Sequence, residues 1–199
     1  MKIQHVLAAA AGVFVVTVGL QFGARAQGTG DGPQFTATNE LMRPANFREW
    51  IFVTSGLGMT YTEAAPGAPA RVPNFTNVYV NPSSYRSFVK SGQWPDGTMF
   101  ILEIRQSQSE GSINKGGNFQ SGLVAMEASV KDSSRFPGKW AYFNFGRGNE
   151  LKEKVEALPT TATCYACHSS NGAVDNTFVQ FYPTLLDVAR EKHTVRKAE

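Results

Sequence analysis

The sequence predicts one α+β domain, an antiparallel sheet with helices packed on it. Three observations carry that prediction. Runs rich in aromatic and β-branched residues recur between Phe75 and Phe145, with turn-forming residues separating them. The segment Pro82 to Ser91 carries both the start and the stop signals of a helix. No internal repeat, low-complexity block or linker divides the chain, whose 199 residues suit a single core once an N-terminal leader is set aside.

That leader comes first. Lys2 precedes an apolar stretch from Val6 to Leu20, which ends near Ala24-Arg25-Ala26, the pattern of a secretory signal with cleavage after Ala26. The apolar stretch falls short of the ~20 residues a helix needs to span a bilayer. No cysteine follows it to carry a lipid anchor. Residues 1–26 are therefore read as a signal peptide and 27–199 as the mature domain, exported to the periplasm and without a membrane anchor after cleavage. Removing Lys2 and Arg25, and no acids, lowers the formal charge from +3 to +1. A chain so nearly neutral offers no basic patch for nucleic acid or membrane.

After a polar lead to about Glu40, the run Asn46 to Val53 predicts a helix capped by Asn46 and stopped by Gly56 or Gly58. Ala64 to Pro69 is turn-rich and predicts a surface loop, and Phe75 to Val80 predicts a strand. Asn81 as cap, Pro82 at the first helical position and Gly92 as terminator define the next helix. Its buried face would carry Tyr85, Phe88 and Val89. Trp94-Pro95-Asp96-Gly97 is turn chemistry. Strands are predicted over Thr98 to Gln106, Gly122 to Lys131 and Lys139 to Phe145, with a flexible Gly111 to Gly117 between the first two. Glu150 to Ala157 reads as a charged helix, and a last helix runs from Pro183 to about Lys192.

Chemistry concentrates in Cys164-Tyr165-Ala166-Cys167-His168, a C-x-x-C-H run of the kind that attaches haem covalently. Each thiol can add to a haem vinyl group, while His168 presents an imidazole nitrogen to the iron. Three competing uses fit less well. A thioredoxin-like dithiol belongs in an early βαβ unit, not in the last fifth of the chain. A structural zinc needs four ligands, and the only other histidine beyond the leader, His193, sits in a charged tail. A disulfide between such close cysteines would close a tiny loop and constrain the unfolded chain little.

For a sixth ligand, His5 leaves with the leader and His193 reads as solvated surface. Met42, Met59, Met99 and Met126 remain, each amid apolar or strand-like neighbours where a methionine fills a core. The expectation is a five-coordinate iron with one face open.

The runs Phe75 to Pro82, Gly92 to Thr98, Glu127 to Ser133, Trp140 to Phe143 and Phe178 to Leu185, arranged around the haem motif, resemble the cytochrome P-460 family, which includes the cytochromes c′-β. The likeness extends from about Phe47 to Arg190. It implies a five-stranded antiparallel sheet, a homodimer, one haem c with His168 as its proximal ligand, and a distal face open to small nitrogen compounds. Some members oxidise hydroxylamine on a haem cross-linked to a lysine; others bind nitric oxide on an unmodified haem in an apolar pocket. The cross-linking position falls on Leu102, which cannot form that bond, and Lys90, Lys115 and Lys131 lie elsewhere in the sequence.

Leu102 with Phe100 or Phe75 would form an apolar distal wall, unless those aromatics belong to the core instead. Glu103 and Glu127 could serve as distal bases, although strand alternation turns Glu103 away from Leu102. The sequence thus points to a mono-haem c-type cytochrome that binds nitric oxide or a related nitrogen oxide, with no catalytic residue assigned. Two other readings stand beside it: an enzyme oxidising hydroxylamine or nitric oxide and passing electrons to a partner cytochrome, and a plain electron carrier with a saturated iron.

Overall fold

The computed structural model describes residues 30–61, 63, 65–67 and 71–196, so the leader lies outside the described residues. Its centre is a five-stranded antiparallel sheet in sequential order: β2 (Ile51–Leu57), β3 (Asn74–Val80), β4 (Met99–Gln108), β5 (Phe119–Lys131) and β6 (Trp140–Arg147). A two-stranded sheet pairs β1 (Leu41–Met42) with β7 (Lys154–Val155). Among the described residues, three α-helices complete the fold: α1 (Pro82–Ser91), α2 (Thr163–Asn171) and α3 (Pro183–Glu191). This is the α+β architecture the sequence predicts, with five strands as the family likeness implies.

Alternation along the strands divides the sheet into two faces. One face packs Met99 and Ile101 of β4, Met126, Ala128 and Val130 of β5, and Ala141, Phe143 and Phe145 of β6 into a closed core capped by Phe47, Trp50 and Leu41. Each of the larger side chains contributes about 1.5–3 kcal/mol by leaving water. On the other face, Val80, Phe100 and Trp140 pack at one end of the sheet against Phe88 of α1, Trp94, and Leu185 and Ala189 of α3. Phe88 and Trp94 stack at 4.0 Å between ring centroids, and Trp94 meets Phe100 edge-on at 4.8 Å. The remainder of that face is not filled by protein, and the haem motif lies over it.

Helix α1 ends where Gly92 enters the left-handed region at φ 70° and its N–H reaches Phe88 O at 2.7 Å, a conformation glycine adopts without a Cβ penalty. Its start is managed differently from expectation. Asn81 occupies the cap position, but its Oδ1 accepts from Met99 N at 2.8 Å, which ties the helix to β4. Asp31 supplies the cap instead, accepting from Ser83 N at 2.6 Å. Of the predicted apolar face, Phe88 is buried, Tyr85 is half-buried, and Val89 turns outward at 41 % exposed.

Two predicted helices do not form. Asn46 to Val53 makes only a 3-10 turn, Phe47–Glu49, before entering β2, and Asn46 makes no side-chain cap bond. The β-branched and aromatic run Ile51-Phe52-Val53-Thr54 suits a pleated strand, and pairing with β3 decides it. Glu150 to Ala157 is extended. Lys152 N donates to Phe145 O at 2.7 Å, and Lys154 and Glu153 form ion pairs with Glu40 and Arg43 across the small sheet. Those long-range partners outweigh a weak helical preference. Among the described residues, no helix is long and apolar enough to cross a membrane.

Candidate functional site

Helix α2 carries the C-x-x-C-H run, and its i, i+3 spacing puts Cys164 and Cys167 on one side, both as free, half-buried thiols. They border a cavity of about 1050 Å³ between α2 and the open part of the sheet. His168 borders it as well. Burial pushes the Cys164 thiol up from its ordinary pKa, and the carboxyl of Glu127 adds to that. Among the described residues, no group of three or more His, Cys, Asp or Glu side chains could hold a metal ion by itself.

The imidazole of His168 is fixed on three sides. Its Nδ1 lies 2.8 Å from the backbone oxygen of Asn176. A carbonyl only accepts, so Nδ1 carries the proton and Nε2 keeps a free lone pair. The ring is packed between Tyr142 at 4.5 Å and Phe178 at 4.4 Å. Burial lowers the pKa of His168, only partly opposed by the bond to Asn176, so the ring is neutral at neutral pH. A neutral imidazole with one nitrogen anchored and the other free is the form that ligates iron.

Glycine is required just beyond the helix. A Cβ on Gly172 would lie 2.7 Å from Thr177 N and 2.8 Å from Asn176 Cα, so only glycine lets the following turn fold back against α2. That turn delivers the Asn176 carbonyl to His168.

The opposite wall comes from the sheet. Val78, Leu102 and Glu127 form a row across β3, β4 and β5, since Leu102 is paired with both others in register. All three border the cavity, as do Phe100 and Ile104. Leu102 and Phe100, two of the residues expected in a distal wall, thus both border this cavity. Phe75 does not: it sits in odd register beside Thr76 and Val78, opposite Leu57 and Arg105, on the face turned away from the cavity.

The two glutamates separate by the same parity. Glu103 is 1 % exposed on the far face, bonded to Arg48, to Arg105 Nη1 at 2.8 Å and to Asn77 Nδ2 at 3.2 Å. Burial alone would raise its pKa, but these hydrogen bonds together outweigh it and hold the carboxyl below its ordinary value. Glu127 faces the cavity, where burial raises its pKa against the weaker opposing pull of Arg147.

Several site residues were not assigned from sequence. Tyr142 and Phe178 lie in runs that carry the family likeness, yet nothing in those runs shows that they clamp the imidazole. Among the four methionines of the domain, Met59 alone borders the cavity, folded over Gly56, where a Cβ would collide with its thioether. Met99 and Met126 are buried on the far face. No lysine borders the cavity among the described residues, and Lys131 is held instead by Asp175 and by Trp94 O at 2.7 Å.

The two thiols, the free imidazole nitrogen and the apolar strand wall opposite them fit a haem. A family model described as cytochrome P-460 matches residues 44–179. The chain belongs to the cytochrome P-460 family. It is accordingly a haem-binding cytochrome, and the P-460 match spans β2 to β6, α2 and the Phe178 clamp. Comparison with curated proteins yields no match.

Proposed function

We propose that this P-460 member is an exported, mono-haem c-type cytochrome that binds nitric oxide or a related nitrogen oxide at a five-coordinate iron. Cys164 and Cys167 would hold the porphyrin through thioether bonds, and His168 would be its axial ligand. The bound haem supplies an iron able to coordinate a small nitrogen compound. The observation that carries the reading is the pairing of an anchored, neutral His168 with an apolar row, Val78 and Leu102, on the other side of the cavity.

The chain's own residues divide the work. The Asn176 carbonyl keeps the proton on Nδ1, while Tyr142 and Phe178 prevent the ring from rotating. Leu102, Phe100 and Ile104 exclude water and favour a neutral diatomic over a charged ligand. Leu102 occupies the position expected for the cross-linking lysine, and the absence of lysine from the described cavity wall supports an unmodified haem. The periplasmic location, a homodimer and a soluble cytochrome as redox partner belong to the same proposal.

Glu127 favours a second reading. A carboxyl with a raised pKa beside Leu102 can accept a proton from a bound hydroxylamine, so oxidation of that substrate stands as the alternative.

Optical spectra of the purified protein, with and without nitric oxide, test the choice. A high-spin resting spectrum that changes on nitric oxide addition is expected. A strongly red-shifted Soret band would indicate a cross-linked haem and the oxidising reading. An unreactive low-spin spectrum abolished by Met59→Leu would indicate an electron carrier ligated by His168 and Met59.

A further inference from the structure

The carbonyl that anchors His168 belongs to a turn closed at its base by reciprocal backbone bonds between Val174 and Thr177, at 3.3 and 2.9 Å, and gripped from outside as well. Asp175 and Asn176 both occupy the left-handed region, at φ 46° and 61°, a conformation that persists where surrounding contacts impose it. Lys131 grips one side through Asp175, and Trp94 Nε1 donates to Thr177 Oγ1 at 2.9 Å. The other side is gripped by the chain's C-terminal segment. After α3, Thr194 N bonds Ala189 O at 2.9 Å and Val195 packs against the cluster containing Trp94 and Leu185. Arg196 then lies over the turn.

Arg196 makes three bonds there. Its N–H reaches Ala173 O at 2.8 Å, Nη1 reaches Ser169 O at 2.5 Å, and Nη2 reaches Asn176 Oδ1 at 3.0 Å. Asn176 is thus held at both ends, its backbone oxygen by His168 and its side-chain oxygen by Arg196. Ser169 directly follows the axial histidine in α2. One guanidinium therefore spans the helix carrying the ligand and the turn anchoring it.

We infer that Arg196 is a positioning residue for the axial imidazole, acting through Asn176. The inference rests on His168 being the haem ligand, as proposed above, and concerns a residue outside the 44–179 segment that matches the family. Arg196 is exposed, so its charge is screened by solvent and its effect is geometric. A planar fork reaches two fixed acceptors at once, which an ammonium cannot reproduce. Holding the Asn176 carbonyl close strengthens the Nδ1–H bond, and a stronger bond there makes Nε2 a better donor to iron.

The test is resonance Raman spectroscopy of the ferrous holoprotein, reading the iron–histidine stretching vibration in wild type, Arg196→Gln, Arg196→Lys and Asn176→Gly. Glycine at 176 keeps the left-handed backbone and the carbonyl that His168 uses, and removes the side chain that carries Oδ1. Arg196→Gln and Asn176→Gly are expected to move the band to lower frequency. The double variant should move it no further, and Arg196→Lys should fail to restore it, with circular dichroism and covalent haem content unchanged. Nitric oxide should also displace the weakened histidine more readily in Arg196→Gln, giving a larger five-coordinate nitrosyl fraction. If Arg196→Gln loads haem poorly, Arg196→Lys and Asn176→Gly still decide the matter. An unshifted band in these variants overturns the role of Arg196 and leaves the haem assignment standing. A wild-type protein without any iron–histidine band overturns the haem assignment, and this inference with it.

Discussion

On β6, Phe143 and Tyr142 are neighbours in sequence and opposites in role. The Phe143 ring, 1 % exposed, is enclosed by the core of one sheet face, tilted against Phe35 and edge-on to Phe136 at 6.2 Å from each. Tyr142 points to the other face, where it borders the cavity, its ring supports His168, and its buried hydroxyl has no hydrogen-bond partner among the described residues. The same strands thus present one side that is filled by protein and one side shaped around something else. Close packing serves stability on the first side, whereas the free thiols of Cys164 and Cys167 border the open one.

The comparison can be broken most decisively on the cavity side. Replacing both Cys164 and Cys167 with Ala should abolish covalent haem, seen as loss of the porphyrin mass from the denatured polypeptide while the closed face keeps its fold. Retention of that mass would end the assignment of the two faces. On the closed face, Phe143→Ala should cost about 3–5 kcal/mol in denaturant unfolding, because the site cannot collapse around the void. The nitric oxide response of the surviving folded protein should be unchanged.

A smaller effect, about 1–3 kcal/mol, is expected for Glu103→Gln, which removes the negative charge that Arg48 and Arg105 share. The pH dependence has a definite sign. Because folding lowers the pKa of Glu103, its stabilisation is complete above the ordinary glutamate range and fades as pH falls through the lowered folded value. Acid unfolding curves of Glu103→Gln should accordingly be flatter than wild type on that limb. Least costly is Leu102→Ala, under about 2 kcal/mol, since Leu102 is half-buried against open space and not sealed in a core. Its signature should be faster nitric oxide binding by stopped-flow. A large stability loss there would mean that the cavity wall is core after all.

The contrast between the faces was only partly legible beforehand. Parity along β4 correctly set Leu102 apart from Glu103, because alternation is a local rule. The same local rule does not decide β3, where Phe75, an alternative to Phe100 in the distal wall, faces away from the cavity: its orientation depends on the register Val78–Leu102, a long-range fact. The carbonyl partner of His168 left no trace in residue identity, since any residue supplies a carbonyl; only the fold brings Asn176 to it. The helix expected over Asn46 to Val53 failed because residues from 74 to 80 pair with that segment.

What the sequence determined by itself is whatever depends on neighbours in the chain: the Pro82–Ser91 helix between its cap and its glycine, the strands β3 to β6, and the spacing of Cys164, Cys167 and His168. The tertiary structure alone decided what depends on closure between distant segments: β2 as a strand, the β1–β7 pair, the inward faces of Tyr142 and Glu127, and the turn that clamps His168. The physical reason is that backbone preferences amount to a fraction of a kcal/mol per residue, whereas one buried aromatic or one completed strand pairing exceeds them and can come from anywhere in the chain.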